Sequence, residues 1–275
     1  MSEIMDRIKL ALAEDIGSGD VTTLATISSE NTSKAILLAK ADGIIAGLEI
    51  AKLVFITHDP GISFKGLVSD GTPIKKGDIL AQIEGNTRSL LETERTALNF
   101  LQRMSGIATA TDQYVQAVKP FKAIILDTRK TAPCLRLFDK MAVKLGGGQN
   151  HRIGLYDMYL SKDNHLAACK GDIEVVFRSI QKHNTNNLPI EIEVDSLDQF
   201  KILIKYKVSR ILLDNMSLSD MKTAVEINAH KIPLEASGNV SLETVNQVAA
   251  TGVDFISVGK LTHSVKALDI SLDIN

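Results

Sequence analysis

Hydrophobic residues follow two regimes along the chain. In the first ~110 residues, a length typical of one small domain, they come in short runs bounded by glycine and aspartate. Lys34-Ala-Ile-Leu-Leu-Ala-Lys40 and Gly43-Ile-Ile-Ala46 are such runs, and each predicts a strand. Between Val68 and Ile83, Asp-Gly, Thr-Pro and Lys-Gly-Asp turns separate apolar pieces, which predicts a small sheet of hairpins. Ala97, Leu98, Phe100, Leu101 and Met104 then recur at helical spacing. They predict an amphipathic helix over 90–104 that Gly106 ends and that connects the two halves.

Beyond this helix the pattern becomes strand then helix, repeated. Strands are predicted at Ala123–Asp127, Met158–Ser161, Ile190–Val194, Arg210–Leu213, Ile232–Glu235 and Phe255–Val258. Ser196, Ser217 and Ser241 each precede a leucine that opens a helical pattern. A serine hydroxyl there can accept a first-turn N–H, so all three are predicted N-caps. Their spacing suits compact β/α units, and a (β/α) barrel or a fragment of one is predicted, with a doubly wound sheet second. The hairpin segment at 68–83 resembles the turn pattern of lipoyl and biotinyl carrier modules. No lysine sits convincingly at an exposed hairpin tip, so it is read as structural.

Composition narrows the function classes. The chain has 31 Lys+Arg and 33 Asp+Glu, a formal net charge of -2, which argues against a generally basic nucleic-acid binder. Aromatic residues make up 4 % with no Trp, so base-stacking platforms are not expected. The first residues lack the basic and apolar regions of a signal peptide, and no run approaches the ~20 apolar residues of a membrane helix. Cys134 and Cys169 form no disulfide framework and no zinc spacing, and are expected to be small packing residues. A cytoplasmic setting is expected.

The active site of a β/α barrel lies at the C-terminal ends of its strands, and those positions carry the chemistry here. Asp127–His165 holds seven Lys/Arg against four Asp, a local +3, which leaves -5 on the rest. Arg129, Arg152 and Lys162 lie beside expected strand ends, where they can grip carboxylates or phosphates. Arg136, Lys140 and Lys144 are spaced by four and are expected to line an exposed helix face. The run Gly146-Gly-Gly-Gln-Asn-His-Arg152 predicts close approach of backbone to ligand, or a tight turn presenting His151 and Arg152. Ala236-Ser-Gly-Asn-Val240 and Ser257-Val-Gly-Lys-Leu261 lie at the ends of the last two strands, where barrels often bind phosphate. Glu193 and Asp214 end adjacent strands and suit a hydrated Mg²⁺, or else pair with Arg129 or Lys162. A small polyanion is the expected ligand, and no GxGxxG follows a strand to suggest redox work.

These residues sit in a set of motifs that strongly resembles the quinolinate phosphoribosyltransferase family. The set comprises Glu14–Thr23, Glu94–Asn99, Ser105–Thr111, Asp127–Pro133, Gly146–Leu155, Lys162–His165, Glu191–Val194, Leu213–Asn215, Glu235–Gly238 and Leu261–Ser264, nearly end to end. The resemblance implies an N-terminal α/β sandwich domain over 1–108, joined by the tail 266–275, and an open (β/α) barrel over 109–265. It further implies a homodimer or multiple of dimers, with Arg95 supplied to the neighbouring site. Arg129, His151, Arg152 and Lys162 would hold the quinolinate carboxylates with Thr128 alongside, and Lys130 would contact phosphoribosyl pyrophosphate. Glu193 and Asp214 would act on its Mg²⁺, through water, and on its ribose. Ser237, Gly238, Asn239, Val258, Gly259, Lys260 and His263 would surround the 5-phosphate. Lys130, Lys162, Glu193 and Asp214 are thereby the expected catalytic residues.

Asn239, Lys260 and Ser161 depart from the family's usual small or aliphatic residues. A related phosphoribosyltransferase acting on another anion, a Schiff-base aldolase built on Lys162, and an anion-binding barrel without turnover are the competing readings.

Overall fold

Ala35, Leu37 and Ala39 turn inward at every second position, the signature of a strand with one face on a core. In the computed structural model, which describes residues 2–274, they belong to β1 (Thr32–Ala39). The chain divides into two compact units: Met1–Asp112 with Thr131–Gly147 and Ser264–Asn275, and Gln113–Lys130 with Gly148–His263.

The first unit contains β1, β2 (Gly43–Ile44), β3 (Ser63–Gly66), β4 (Pro73–Ile74), β5 (Ile79–Asn86) and β12 (Ile270–Ile274). An antiparallel sheet runs in the order β12-β1-β5-β3, and β2 pairs with β4 separately. Helices α1 (Ser2–Ile16), α2 (Val21–Thr26) and α3 (Leu48–His58) accompany it. Helix α3 buries Leu48, Ala51, Val54 and Phe55, with the Phe55 ring 6.0 Å from that of Phe64 in β3.

Helix α4 (Thr87–Val118) does not end at Gly106 as the sequence predicts. A Cβ at 106 would strike the carbonyl oxygen of Lys266, in the segment that leads to β12. The glycine provides close approach there, at the ~1 kcal/mol helix cost relative to alanine.

Helix α5 (Arg136–Leu145) falls in the first unit, unlike the sequence boundary at 108/109. Arg103 of α4 donates from Nε and Nη2 to the two oxygens of Asp139, each at 2.8 Å, and Asp139 is fully buried. This two-pronged pair fixes α5 on α4. Its burial corrects another expectation: Lys140 is only 3 % exposed, because α5 buries Phe138, Asp139, Lys140, Ala142 and Val143 together. Both cysteines, expected in packing positions, are exposed. Cys134 occupies a left-handed turn (φ 65°) before α5.

The second unit is built on β6 (Ile124–Leu126), β7 (Tyr159–Ser161), β8 (Ile190–Val194), β9 (Arg210–Asp214), β10 (Leu234–Ser237) and β11 (Phe255–Ser257). All six correspond to predicted strands. The largest displacement is in β10, which begins after Pro233, a residue without an N–H to donate. Every neighbouring pair is parallel, in the order β6-β11-β10-β9-β8-β7. This is chain order closed on itself and opened once, between β6 and β7. A doubly wound sheet would instead reverse direction at a switch point, so the open barrel holds.

Helices α6 (Asp163–Ala168), α7 (Ile173–His183), α8 (Leu197–Leu203), α9 (Leu218–Asn228), α10 (Val245–Ala249) and α11 (Lys260–His263) follow the strands. Of the three serines, Ser217 caps α9 by accepting the Asp220 N–H at 3.1 Å. Ser196 precedes α8 without a side-chain cap bond, and α10 starts later, after Thr244, with Ser241 in the preceding turn.

Alternation decides what faces the barrel interior. In β8, Glu191 and Glu193 share one face while Ile190, Ile192 and Val194 share the other, and all five are buried. Arg210, Leu212 and Asp214 of β9, Glu235 and Ser237 of β10, and Phe255 and Ser257 of β11 follow the same period. Register sets Glu191 beside Arg210, Glu193 beside Leu212, and Ser237 beside Asp214. The interior therefore has a lower polar layer and an upper one at the strand ends.

Candidate active site

A cavity of about 620 Å³ opens over the upper layer of the second unit. Its cationic side comes from the loop after β6, the segment between α5 and β7, and the loop after β7. Thr128, Arg129, Lys130, Arg152 and Lys162 line it. Arg152 is anchored twice: its N–H donates to His151 Nδ1 at 2.7 Å, and its Nη1 donates to the Met158 carbonyl at 3.2 Å. Burial, and then the like charge of Arg129, lower its pKa from the ordinary guanidinium value. Two mutually repelling guanidinium groups held in one cavity favour an anion between them.

His151 closes the turn that begins at the glycines. Its N–H donates to Asp127 Oδ1 at 2.7 Å, and Nε2 lies 2.9 Å from Glu191 Oε2 and 3.6 Å from Glu235 Oε1. Because Nδ1 accepts the Arg152 N–H, the ring proton of neutral His151 resides on Nε2. The glycines themselves do not line the cavity. Gly146 is required because a Cβ would strike the Ala108 carbonyl, and Gly147 turns left-handed at φ 88°. The structure shows the tight turn of the sequence reading, and it presents His151 and Arg152 to the cavity.

Opposite charges meet across the mouth. Lys162 Nζ lies 3.2 Å from Glu193 Oε2, while the Asp163 N–H donates to Glu193 Oε1 at 3.4 Å. Asp214 lines the same cavity, and its Oδ2 accepts from Asn215 Nδ2 at 2.7 Å. The two carboxylates end adjacent strands and face one space, which suits a hydrated divalent cation.

The remaining wall carries the loops after β10 and β11. Ser237, Gly238, Asn239, Gly259, Lys260 and His263 line it. Gly238 has φ 98°, and a Cβ there would collide with Asn215 Oδ1. Asn239 Nδ2 donates to that same oxygen at 3.3 Å. Gly259 leaves space between Lys130 and His263: an added Cβ would lie 3.1 Å from Lys130 Cδ and 3.2 Å from His263 Cδ2. Thr262 Oγ1 donates to the Lys130 carbonyl at 2.9 Å, tying the two loops together.

Two expected site residues lie elsewhere. Val258 is buried beneath the wall, where its N–H donates to the Leu126 carbonyl at 2.9 Å. Arg95 belongs to the first unit, with a side chain 59 % exposed and its nearest ion-pair contact to Glu94 at 3.7 Å. Glu235, Ser257 and Asn215 also line the cavity; they stand in strand-end segments that the sequence marks, but it assigns them no individual role. The signal for the first two was alternation, which puts them on the interior face with the predicted groups.

Glu235 and Glu191 form the lower layer and are fully buried. Arg210 Nη1 donates to Glu235 Oε2 at 2.5 Å, its guanidinium stacks 4.1 Å from the Phe255 ring centroid, and Ser257 Oγ donates to Glu235 Oε1. Desolvation, then the charge of Glu191, raise the Glu235 pKa to about 7. Desolvation also raises that of Glu191.

Comparison with known proteins converges on one family. Residues 20–105 match the model for the quinolinate phosphoribosyl transferase N-terminal domain, and residues 107–273 match that for its C-terminal domain. The chain is 44 % identical over 292 residues to a mitochondrial quinolinate phosphoribosyltransferase [decarboxylating] of Nicotiana tabacum, covering 99 % of this chain and 82 % of that one. It is 42 % identical to the nicotinate-nucleotide pyrophosphorylase [carboxylating] of Mycobacterium leprae, covering 98 % and 96 %. The crystal structure of NadC from Streptococcus pyogenes superimposes with a TM-score of 0.94 at 39 % identity, over 98 % of this chain and 95 % of the other.

Proposed function

The chain belongs to the quinolinate phosphoribosyltransferase family, and we propose that its barrel cavity is where quinolinate and phosphoribosyl pyrophosphate react. The protein is a pentosyltransferase of NAD biosynthesis. It transfers the phosphoribosyl group to quinolinate with loss of CO₂, giving nicotinate mononucleotide and pyrophosphate. The observation that carries the assignment of the cavity is the meeting, in one space, of a cationic cluster with two strand-end carboxylates.

Arg129, Arg152 and Lys162 grip the two quinolinate carboxylates, with Thr128 and His151 beside them. Guanidinium groups suit this task because they match a carboxylate with two parallel hydrogen bonds. The 5-phosphate occupies the wall of Ser237, Gly238, Asn239, Gly259, Lys260 and His263, and Lys130 reaches the pyrophosphate. This arrangement brings the ring nitrogen to the ribose C1 and accounts for much of the rate through orientation.

As the bond from C1 to pyrophosphate breaks, positive charge grows on the sugar, where Glu193 and Asp214 stabilise it. The nitrogen lone pair forms the new bond to C1 and the ring becomes cationic. The bond between the adjacent ring carbon and its carboxylate then breaks, its electron pair flows toward that nitrogen, CO₂ departs, and a proton from solvent replaces it. The cationic ring nitrogen stabilises the electron pair left behind, and the surrounding residues contribute by holding the ring in position.

Magnesium fits the donor set: Glu193 and Asp214 would hold it through water, in keeping with its preference for a few carboxylates plus substrate oxygens. When bound, it neutralises negative charge on the pyrophosphate leaving group. The functional protein is a homodimer or multiple of dimers in which Arg95 completes the neighbouring site, and its exposure in its own unit supports this reading. The cytoplasm is the proposed location, and the two free, exposed cysteines suit a reducing compartment.

Release of labelled CO₂ from carboxyl-labelled quinolinate, dependent on phosphoribosyl pyrophosphate and Mg²⁺, is the deciding test. Purified protein that releases none under these conditions, while binding both substrates, overturns the assignment.

A further inference from the structure

A polar chain runs from the cavity wall at Arg152 and His151 down to Glu191, Glu235, Arg210 and Ser257, and to these last four the proposed reaction gives no role. Arg210 and Ser257 both donate to Glu235. Glu235 and Glu191 flank His151 Nε2, and the three ligand atoms lie within 4.8 Å of one another. The other ring nitrogen of His151 accepts the Arg152 N–H, and the His151 N–H is held by Asp127. Every link except Arg152 and Arg210 is buried, and Asp127, Glu191 and Glu235 are fully so.

We infer that Glu235 and Glu191 are positioning residues: by fixing the His151 ring they hold the Arg152 backbone and aim its guanidinium at the substrate carboxylates. This rests on the assignment of the Arg129 and Arg152 side to quinolinate. The argument is geometric. With Nδ1 and Nε2 both turned to protein groups, His151 works through its neighbour. Rotating or flipping the ring removes the acceptor that the Arg152 N–H requires and breaks the contact with the acids at once. An N–H deprived of its acceptor in this part-buried turn is disfavoured, so the ring and the Arg152 backbone move as one.

The same three residues have the composition of a metal site. Arg210 already supplies the compensating cation, at 2.5 Å from Glu235, and Ser257 occupies the other oxygen. Glu191 Oε2 lies 2.9 Å from His151 Nε2, so the acid and the imidazole are in direct contact.

The test compares Glu235→Gln, His151→Gln and the double variant in steady-state kinetics with each substrate varied in turn. Wild-type turnover of quinolinate is measured first, since its failure strikes the functional assignment and not this inference. The expected result for Glu235→Gln is a rise of about tenfold in the KM for quinolinate, with the KM for phosphoribosyl pyrophosphate within about twofold of wild type, a difference of the size expected for coupled neighbours. Because Glu235 acts through His151, the double variant should be no worse than His151→Gln alone. Multiplying effects in the double variant, an unchanged quinolinate KM, or equal rises for both substrates would each overturn the inference. So would stoichiometric zinc or manganese in purified wild type that is lost from Glu235→Gln. If Glu235→Gln does not fold, Glu191→Gln takes its place in the same cycle with the same expectations.

Discussion

Lys162 Nζ stands 3.2 Å from Glu193 Oε2, so a cation after β7 and a carboxylate of β8 neutralise each other at the cavity mouth. This pair separates the phosphoribosyltransferase from a Schiff-base aldolase built on the same lysine. A Schiff base requires an amine free to attack a carbonyl, and here Nζ is engaged by the Glu193 carboxylate. Borohydride with a keto acid is therefore expected to leave Lys162 unlabelled by mass spectrometry. Lys162→Ala should lower kcat/KM for quinolinate at least about tenfold, since truncating one partner leaves the other charge unpaired. A labelled Lys162 would favour the aldolase.

Gly238 joins the wall proposed for the 5-phosphate to the carboxylate of Asp214. It has φ 98°, and a side chain there would push Asn215, whose Nδ2 holds Asp214 Oδ2 at 2.7 Å. Gly238→Ala should therefore destabilise the protein by about 1–3 kcal/mol. The KM for phosphoribosyl pyrophosphate should rise more than that for quinolinate. Thermal melting and two-substrate kinetics on the same preparation check both halves.

Much of this arrangement was legible in the sequence because strand ends and alternation are local properties. The pattern Ile190-Glu-Ile-Glu-Val194 puts both glutamates on one face wherever the strand sits, and polar residues after six apolar runs marked the cavity mouth. What escaped depends on neighbours remote in the chain. Gly106 looked like a helix stop because its reason, the Lys266 carbonyl, lies 160 residues away. Lys140 looked solvated because spacing by four says nothing about which helix covers the other side. Arg210 sits at the N-terminal end of its strand, away from the mouth, so its pairing with Glu235 becomes visible only when register is known.

The lower layer also predicts how stability depends on pH. Glu235 carries a folded-state pKa of about 7 against an ordinary 4.5, caused first by desolvation and then by Glu191. Between these values the unfolded chain binds fewer protons than the folded one. The contribution of Glu235 is thus fully present below the unfolded value and is lost as pH rises through the folded one. Glu235→Gln has no such proton to lose. The melting temperature of wild type relative to that variant should fall from pH 5 to pH 8, with most of the change complete just above pH 7. Melting curves across that range measure it, and a constant difference would remove Glu235 as the titrating group.

Arg95 gives the last prediction. Its guanidinium is too exposed, and its contact with Glu94 at 3.7 Å too long, for a structural ion pair of consequence. In a dimer with sites shared between copies, Arg95→Ala damages the neighbour's site and Arg152→Ala damages its own. Each variant alone carries one defect in every site and should be inactive. When the two are mixed and subunits exchange, about half of the dimers are hybrids. One site of each hybrid then contains both defects and the other contains neither. Activity should return to about a quarter of the wild-type level on the same subunit symmetry. Exchange is followed by native mass spectrometry of tagged chains. If hybrids form in the expected proportion and no activity returns, Arg95 does not act on a neighbouring site.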